Sequence, residues 1–248
     1  MPPNTQANKG LGSELDEKHM DLGLRLARRG RGRTSPNPMV GAVVVSNGEV
    51  VGRGWHRGPG SSHAERMALE EAGTRARGGS LFLTLEPCTF QGLTPPCLDI
   101  VLQSGVSRVV VAMEDPDHRV NGRGIRAMQE VGIEVELGVR SSEAHELLED
   151  YLTHRTLGRP FVTYKAATSI DGRTAAADGS SKWITGEAAR KDVHKLRSLH
   201  DAICVGIGTV LADNPSLTVR DTKVFKQPIR VVVDSAARTP TDASVLSK

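Results

Sequence analysis

Short apolar, β-branched runs alternate with segments of helical periodicity over residues 14–157. The pattern predicts strands at 39–45, 49–56, 80–88, 108–116 and 133–139. It predicts helices at 14–29, 63–73, 95–105, 122–132 and 142–157. Asn47-Gly48, between the first two predicted strands, is a strong signal for a β-hairpin turn. Strands that alternate with helices build a sheet covered by helices, so we expect an α/β fold.

A second segment of the same kind follows a boundary marked by Gly158 and Pro160. It contains predicted strands at 161–172, 202–208 and 229–235 and a predicted helix at 186–200. So few strands and helices do not complete a domain. The expected organisation is a disordered tail at 1–13, a first domain at 14–150, a linker at 151–160 and an incomplete second domain at 161–248.

Composition narrows the class of protein. The net charge is only +3 and aromatic residues make up 3% of the chain, which argues against a nucleic-acid surface. Three cysteines do not make a disulfide framework and indicate reduced thiols or metal ligands. No apolar run approaches the roughly 18 residues of a membrane span, and residues 1–13 lack the apolar core of a signal peptide. We therefore expect a cytoplasmic enzyme that binds neither nucleic acid nor membrane.

The strongest chemical signal is a histidine with two cysteines. His63, Cys88 and Cys97 are residue types that bind zinc. Three protein ligands leave a fourth position open, which is typical of a catalytic zinc site. The alternatives are a structural zinc site or ordinary buried side chains. The third cysteine, Cys204, fits a buried small apolar residue.

Glu65 lies two residues after His63. In zinc-dependent deaminases of bases and nucleosides, a glutamate near the metal is not a ligand but carries a proton from the attacking water to the leaving amine. The alternative is a solvated residue at the start of a helix. The spacing therefore indicates a hydrolytic deaminase, with Glu65 as its acid and base.

Longer stretches resemble a known family. SPNPMVGAVVV, GWH, SSHAERMAL and TLEPCTFQGLTPPC resemble the deaminase half of the bifunctional deaminase/reductase family of riboflavin biosynthesis. YKAATSIDGRTA, SKWITG, VHKLRSLHDAICVGIGTVLADNPSLTVR and QPIRVVVDS resemble the front of its reductase half. The resemblance implies a cytidine-deaminase-like three-layer α/β/α domain. The N-terminal part of a dihydrofolate-reductase-like α/β domain would follow it.

For the first domain, the resemblance implies a zinc-dependent deamination. The substrate would be 2,5-diamino-6-(5-phosphoribosylamino)pyrimidin-4(3H)-one and the product 5-amino-6-(5-phosphoribosylamino)uracil. Asn37 and His56 match positions that hold the pyrimidine and the ribose phosphate. Glu65 matches the catalytic proton shuttle, and the matching zinc ligands are His63, Cys88 and Cys97.

For the second domain, the resemblance implies reduction of the ribosyl group to ribityl with NADPH. Positions that match cofactor-binding residues are Lys165, at the reaction centre, and Ala167, Trp183, Thr209, Asp213 and Ser235. Positions that match substrate-binding residues are Ser181, Arg197, Leu217 and Arg220. Arginines suit a phosphate because the guanidinium donates two parallel hydrogen bonds.

The chain departs from the family in the loop between the two cysteines. Family members carry a histidine two residues after the first zinc cysteine and a basic residue three further on, where this chain has Phe90 and Leu93. Loss of one charged contact costs on the order of 1.5–3 kcal/mol. We therefore expect an impaired deaminase, a substitute basic group such as Arg57, or a changed substrate.

The reductase-like segment is shorter than in the family and lacks its later glycine-rich cofactor turn. We expect either a fragment of a longer chain or an inactive reductase, with no NADPH oxidation by residues 1–248. Family members are often oligomers, so a homo-oligomer is expected. Two other classes stay open. One is a nucleoside or nucleic-acid deaminase with the same zinc site, and the other is a non-catalytic descendant that acts as a partner or regulator.

Overall fold

The computed structural model describes the backbone of residues 5–247 and the side chains of residues 14–247. Contacts divide the chain into two units, Met1–Phe161 and Val162–Lys248. The helices of the first unit are α1 (Thr5–Ala27), α2 (Ala64–Ala72), α3 (Cys97–Gln103), α4 (Arg123–Glu130), α5 (Ser141–Leu147) and α6 (Glu149–Leu157). Its strands are β1 (Gly41–Ser46), β2 (Glu49–Trp55), β3 (Ser80–Leu83), β4 (Arg108–Val111) and β5 (Glu134–Leu137).

The five strands form one mixed sheet in the order β2-β1-β3-β4-β5. Strand β1 is antiparallel to β2 and β3, while β3, β4 and β5 are parallel. Asn47 (φ 51°) and Gly48 (φ 78°) both have the positive φ that a tight type I′ turn between β1 and β2 needs. The predicted hairpin is therefore confirmed. In this arrangement the end of β2, the start of β1 and the end of β3 lie next to one another at the same end of the sheet.

Helices cover both faces of this sheet, because alternate side chains of a strand point to opposite faces. One face packs against α2, α3 and α4 through Ala42, Val44, Leu81, Leu83, Val109 and Val111. The other face packs against α1, α5 and α6 through Val43, Val45, Phe82 and Val110. The predicted three-layer α/β/α architecture is confirmed.

Some elements of the first unit differ from the predicted ones. The predicted helix at 142–157 is two helices, because Leu148 (φ −106°, ψ 16°) leaves helical geometry between α5 and α6. Helix α1 begins at Thr5, so residues 5–13 are helical rather than part of the expected disordered tail. The polar composition of residues 1–13, with Pro2, Pro3 and Gly10, suggested a tail. Extending an existing helix costs little, however, since each added residue gains a hydrogen bond. Residues 1–4 of that tail lie outside the described residues.

The second unit contains α7 (Glu187–Ser198) and α8 (Ile207–Asp213) and the parallel strands β6 (Ala202–Gly206) and β7 (Ile229–Val233). Its apolar cluster is formed by Ile207, Val210, Leu217, Ala243 and Val245. The predicted strand at 161–172 is wrong. Within the described part of this unit only β6 and β7 pair, and a strand needs a partner for its backbone N–H and C=O groups.

Cys204 is also placed differently from the prediction. It is exposed, because alternate residues of β6 face solvent. Along the whole described chain, no helix combines the length and the apolar character that crossing a membrane requires.

Candidate metal centre

His63, Cys88 and Cys97 are brought together by the fold. Their candidate ligand atoms all lie within 4.8 Å of one another. Nδ1 of His63 is 3.2 Å from Sγ of Cys97 and 3.6 Å from Sγ of Cys88. One imidazole nitrogen and two thiol sulfurs are a donor set that suits zinc, and three protein ligands leave one position for water or substrate. The side chains present therefore fit a catalytic zinc ion.

The three side chains lie at the start of two helices and in one loop, all at the same end of the sheet. His63 precedes α2, and Cys97 is the first residue of α3. Cys88 lies in the loop that follows β3. A Cβ at Gly54 of β2 would collide with the backbone carbonyl of Ala64, the first residue of α2. The glycine thus lets α2 lie directly on the sheet, which places His63 beside the two cysteines.

Hydrogen bonds among the three groups favour a thiolate at Cys88. The bond with the Cys97 side chain lowers the pKa of the Cys88 thiol. The same bond, together with burial, raises the pKa of Cys97. The backbone N–H of Cys97 also donates to the Cys88 sulfur over 3.3 Å. Because the thiolate is the metal-binding form of cysteine, this arrangement prepares one ligand in advance.

Glu65 is buried beside these residues, with only 3% of its surface exposed. Its Oε2 has no hydrogen-bond partner among the described residues, whereas buried polar atoms ordinarily have one. Burial, with a smaller contribution from the charge of Cys88, raises the pKa of Glu65 to about 7. A carboxyl group that titrates near neutral pH is suited to take up and release a proton.

Asn37 and His56 lie next to the candidate ligands. Nδ2 of Asn37 donates to Nε2 of His56 over 3.1 Å. The ring centroid of His56 is 5.0 Å from that of His63. Burial and the neighbouring His63 lower the pKa of His56, which favours the neutral ring. The structure therefore gathers at one place all the residues predicted for the deaminase site.

Glu86, two residues before Cys88, is a further residue of the site that was not predicted from the sequence. Its buried carboxylate accepts hydrogen bonds from four backbone N–H groups of the loop after β4 and the first turn of α4. The donors are Asp115 (3.2 Å), Gly122 (2.8 Å), Gly124 (2.8 Å) and Ile125 (3.3 Å). These bonds fasten the loop that carries Cys88. Nothing in the local pattern around Glu86 signals this role, because its partners are distant in sequence.

The two residues that depart from the family lie in the same loop. The guanidinium carbon of Arg119 is 3.8 Å from the ring centroid of Phe90. Arg119 is itself held by the buried carboxylate of Asp117, with Nη2 2.6 Å from Oδ2. Leu93 is 84% exposed. Phe90 is thus covered by a cation that already has a partner, while Leu93 faces solvent.

The residues predicted for the reductase site are less closely grouped. Nη1 of Arg197 donates to the carbonyl of Thr218 over 3.3 Å, next to the buried Leu217. Nη1 of Arg220 lies 3.4 Å from Oγ1 of Thr218, so both arginines contact Thr218. Burial and the charge of Arg220 lower the pKa of Arg197. Thr209 and Asp213 are exposed on α8, and Ser235 follows β7. No hydrogen bond between described residues joins these groups to Lys165, Ala167, Ser181 or Trp183.

Each half of the chain matches a known protein family. The model of the cytidine and deoxycytidylate deaminase zinc-binding region matches residues 13–113, and that of the RibD C-terminal domain matches residues 160–248. The riboflavin biosynthesis protein RibD of Aquifex aeolicus is 48% identical over 234 residues, covering 94% of this chain and 66% of that protein. The chain spans just under two thirds of the length of such curated relatives.

Solved structures show the same likeness. The deaminase/reductase of Thermotoga maritima, which acts on diaminohydroxyphosphoribosylaminopyrimidine and 5-amino-6-(5-phosphoribosylamino)uracil, has a TM-score of 0.88 and 42% identity, covering 94% of this chain and 67% of that one. RibD of Acinetobacter baumannii, form 2, has a TM-score of 0.89 and 40% identity over 96% of this chain and 68% of that one. This degree of identity over most of both chains shows that the protein belongs to the RibD family of bifunctional deaminase/reductases.

Proposed function

We propose that the first unit hydrolyses the 2-amino group of 2,5-diamino-6-(5-phosphoribosylamino)pyrimidin-4(3H)-one in riboflavin biosynthesis. The observation that carries this proposal is the buried carboxylate of Glu65, whose Oε2 has no described protein partner and which lies beside His63, Cys88 and Cys97. A hydrolytic deamination needs such a group, because one proton must leave the water and another must reach the amine.

The side chains divide this work between them. His63, Cys88 and Cys97 would hold zinc, which acts as a Lewis acid and makes water a stronger acid. Glu65 takes the proton of the attacking water at Oε2 and later delivers it to the departing nitrogen. The water oxygen forms a bond to C2 of the pyrimidine, the C–N bond breaks, and ammonia leaves. Asn37 and His56, joined by a hydrogen bond, orient the base for this exchange.

Ammonia release from the diaminopyrimidine ribosyl phosphate by the zinc-loaded chain tests this proposal. We expect Glu65→Gln to lower turnover by about 10²–10⁴-fold, the usual contribution of a general acid–base, with zinc content unchanged. Glu70→Gln is the matched control on the same helix, because Glu70 is exposed and forms a surface ion pair with Arg66 at 3.8 Å. No turnover by a folded, zinc-loaded wild-type chain would contradict the proposal.

Deamination of a different pyrimidine or purine is the second candidate function. The exposed Leu93 and the covered Phe90 favour it, because they replace groups that hold the ring and phosphate in the family. A panel of cytidine, deoxycytidine monophosphate and guanine separates the two candidates. Faster turnover of any of these than of the diaminopyrimidine would favour the changed substrate.

For the second unit we propose the NADPH-dependent reduction of the ribosyl chain in the whole protein. The match to the RibD C-terminal domain supports it, as do Arg197 and Arg220, which both contact Thr218. Arg197, Arg220, Ser181 and Leu217 would contact the substrate. NADPH would lie against Lys165, Ala167, Trp183, Thr209, Asp213 and Ser235. NADPH oxidation with the deaminated product as substrate, measured at 340 nm, is the direct assay.

We also propose that the protein acts in the cytoplasm as a homo-oligomer. Cell fractionation and light scattering of the purified chain test these two statements. Co-purification with nucleic acid or sedimentation with membranes would contradict the expectation that it binds neither.

A further inference from the structure

Two arginines lie over one tryptophan beside the candidate metal centre. The guanidinium carbon of Arg29 is 4.9 Å from the ring centroid of Trp55, and that of Arg57 is 5.0 Å from it. Both arginines are exposed, and Trp55 is half-buried at the end of β2. The ring attracts both cations through its π face. Trp55 therefore contacts two positive charges.

Neither charge is neutralised within the described part of the chain. Among residues 14–247, neither guanidinium forms an ion pair with a carboxylate. By contrast, Arg53 on the same strand pairs with Glu71, with Nη1 3.8 Å from Oε1. Two like charges near one ring repel each other, and an anion bound by both offsets that repulsion. Guanidinium groups bind phosphate through paired hydrogen bonds.

The backbone holds both arginines next to the residues proposed to bind substrate. Arg57 directly follows His56, whose ring lies 5.0 Å from that of His63. Arg29 directly precedes Gly30, where a Cβ would come 2.8 Å from the carbonyl oxygen of His56. The two segments therefore touch at His56, and each contributes its arginine at that point.

We propose that Arg29 and Arg57, held over Trp55, form the subsite that binds the phosphate of the substrate. The ligand class is a phosphate monoester on a ribosylaminopyrimidine, so the inference rests on the proposed deaminase function. It also accounts for Leu93, whose uncharged, exposed side chain offers nothing to a phosphate. The positive charge comes instead from Arg29 and Arg57.

Kinetics with two substrates tests the subsite. For Arg29→Ala and for Arg57→Ala we expect KM for the phosphorylated substrate to rise about 10–100-fold with kcat nearly unchanged, the scale of one lost charged hydrogen bond. KM for the dephosphorylated ribonucleoside should change less than about twofold, and Arg57→Lys should recover part of the loss. Arg53→Ala is the matched control and should leave both substrates unaffected. Equal effects on the two substrates would overturn the proposal.

A binding measurement separates this inference from the proposed reaction. The chain has two tryptophans, so Trp183→Phe leaves Trp55 as the one that fluoresces. We expect ribose 5-phosphate to change its emission, ribose to have no effect at the same concentration, and Arg57→Ala to abolish the response. A change in emission without any deamination would contradict the proposed reaction but support the subsite. Deamination with no response to ribose 5-phosphate would remove the subsite alone.

Discussion

The hydroxyl of Tyr151 donates a hydrogen bond of 2.9 Å to the carboxylate of Asp115. This bond joins helix α6 to the loop after β4. The same carboxylate accepts the backbone N–H of Asp117 over 2.9 Å. Burial raises the pKa of Asp115 and that of Tyr151, so neither group is well solvated. The pair therefore secures the loop whose backbone also binds Glu86.

Tyr151→Phe should lower the free energy of unfolding by about 1–3 kcal/mol, because the buried carboxylate of Asp115 loses a donor. Urea unfolding in a Trp183→Phe background, where Trp55 is the fluorescent reporter, measures the change. The only other tyrosine, Tyr164, is 89% exposed, and Tyr164→Phe should shift stability by less than about 0.5 kcal/mol. Equal shifts in the two variants would show that the hydrogen bond adds no stability.

Glu86→Gln should weaken zinc binding about 10–100-fold, the usual effect of a group that orients a metal ligand. The amide nitrogen of glutamine does not accept hydrogen bonds, so some of the four backbone N–H groups lose their partner and the Cys88 loop loosens. Competition with a chelator measures the affinity, and the Co²⁺ absorption spectrum reports the ligand geometry. Glu114→Gln, at an exposed neighbouring position, is the control. Unchanged affinity and spectrum in Glu86→Gln would show that this carboxylate does not position Cys88.

Asp117→Asn should destabilise the protein by about 2 kcal/mol at pH 7, since Arg119 loses its charged partner. The hydrogen bond from Arg119 lowers the pKa of Asp117 below its ordinary value near 3.9. A depressed pKa stabilises the fold fully above the unfolded value, and this contribution is lost as pH falls toward the folded one.

The difference between wild type and Asp117→Asn should therefore shrink by about 1 kcal/mol between pH 7 and pH 3. Urea unfolding of both proteins with a chelator present, at each pH, gives this difference. Asp242→Asn, at an exposed position, should change stability by less than about 0.5 kcal/mol at either pH. A difference that stays constant with pH would contradict the assigned ion pair.

Leu93→Lys should lower KM for the phosphorylated substrate by no more than about threefold. The reason is that Arg29 and Arg57 already supply charge for the phosphate, and a further exposed charge adds little in water. Steady-state ammonia release gives the value, with Leu93→Gln as the uncharged control. A tenfold or larger drop would mean that the phosphate has no basic partner in the wild type.

Local features of the sequence predicted most of the strands and helices of the first unit. Asn47-Gly48 specifies its hairpin because the turn needs positive φ at two adjacent residues. Uninterrupted apolar runs in the strands predict a sheet that is covered on both faces. His63, Glu65, Cys88 and Cys97 are recognisable because metal chemistry restricts residue type and spacing. In the second unit the apolar run at 161–172 indicated a strand, yet strand formation depends on a neighbour that a local pattern does not specify.

The sequence by itself therefore determined the order of most elements of the first unit, the two layers of helices and the candidate metal-binding side chains. The tertiary structure decided which distant groups meet: Glu86 with the backbone after β4, Tyr151 with Asp115, and Arg29 with Arg57 over Trp55. The physical reason is that turn geometry and ligand chemistry act over a few residues. Hydrogen bonds and cation–π contacts instead act through space, between segments that only folding brings together.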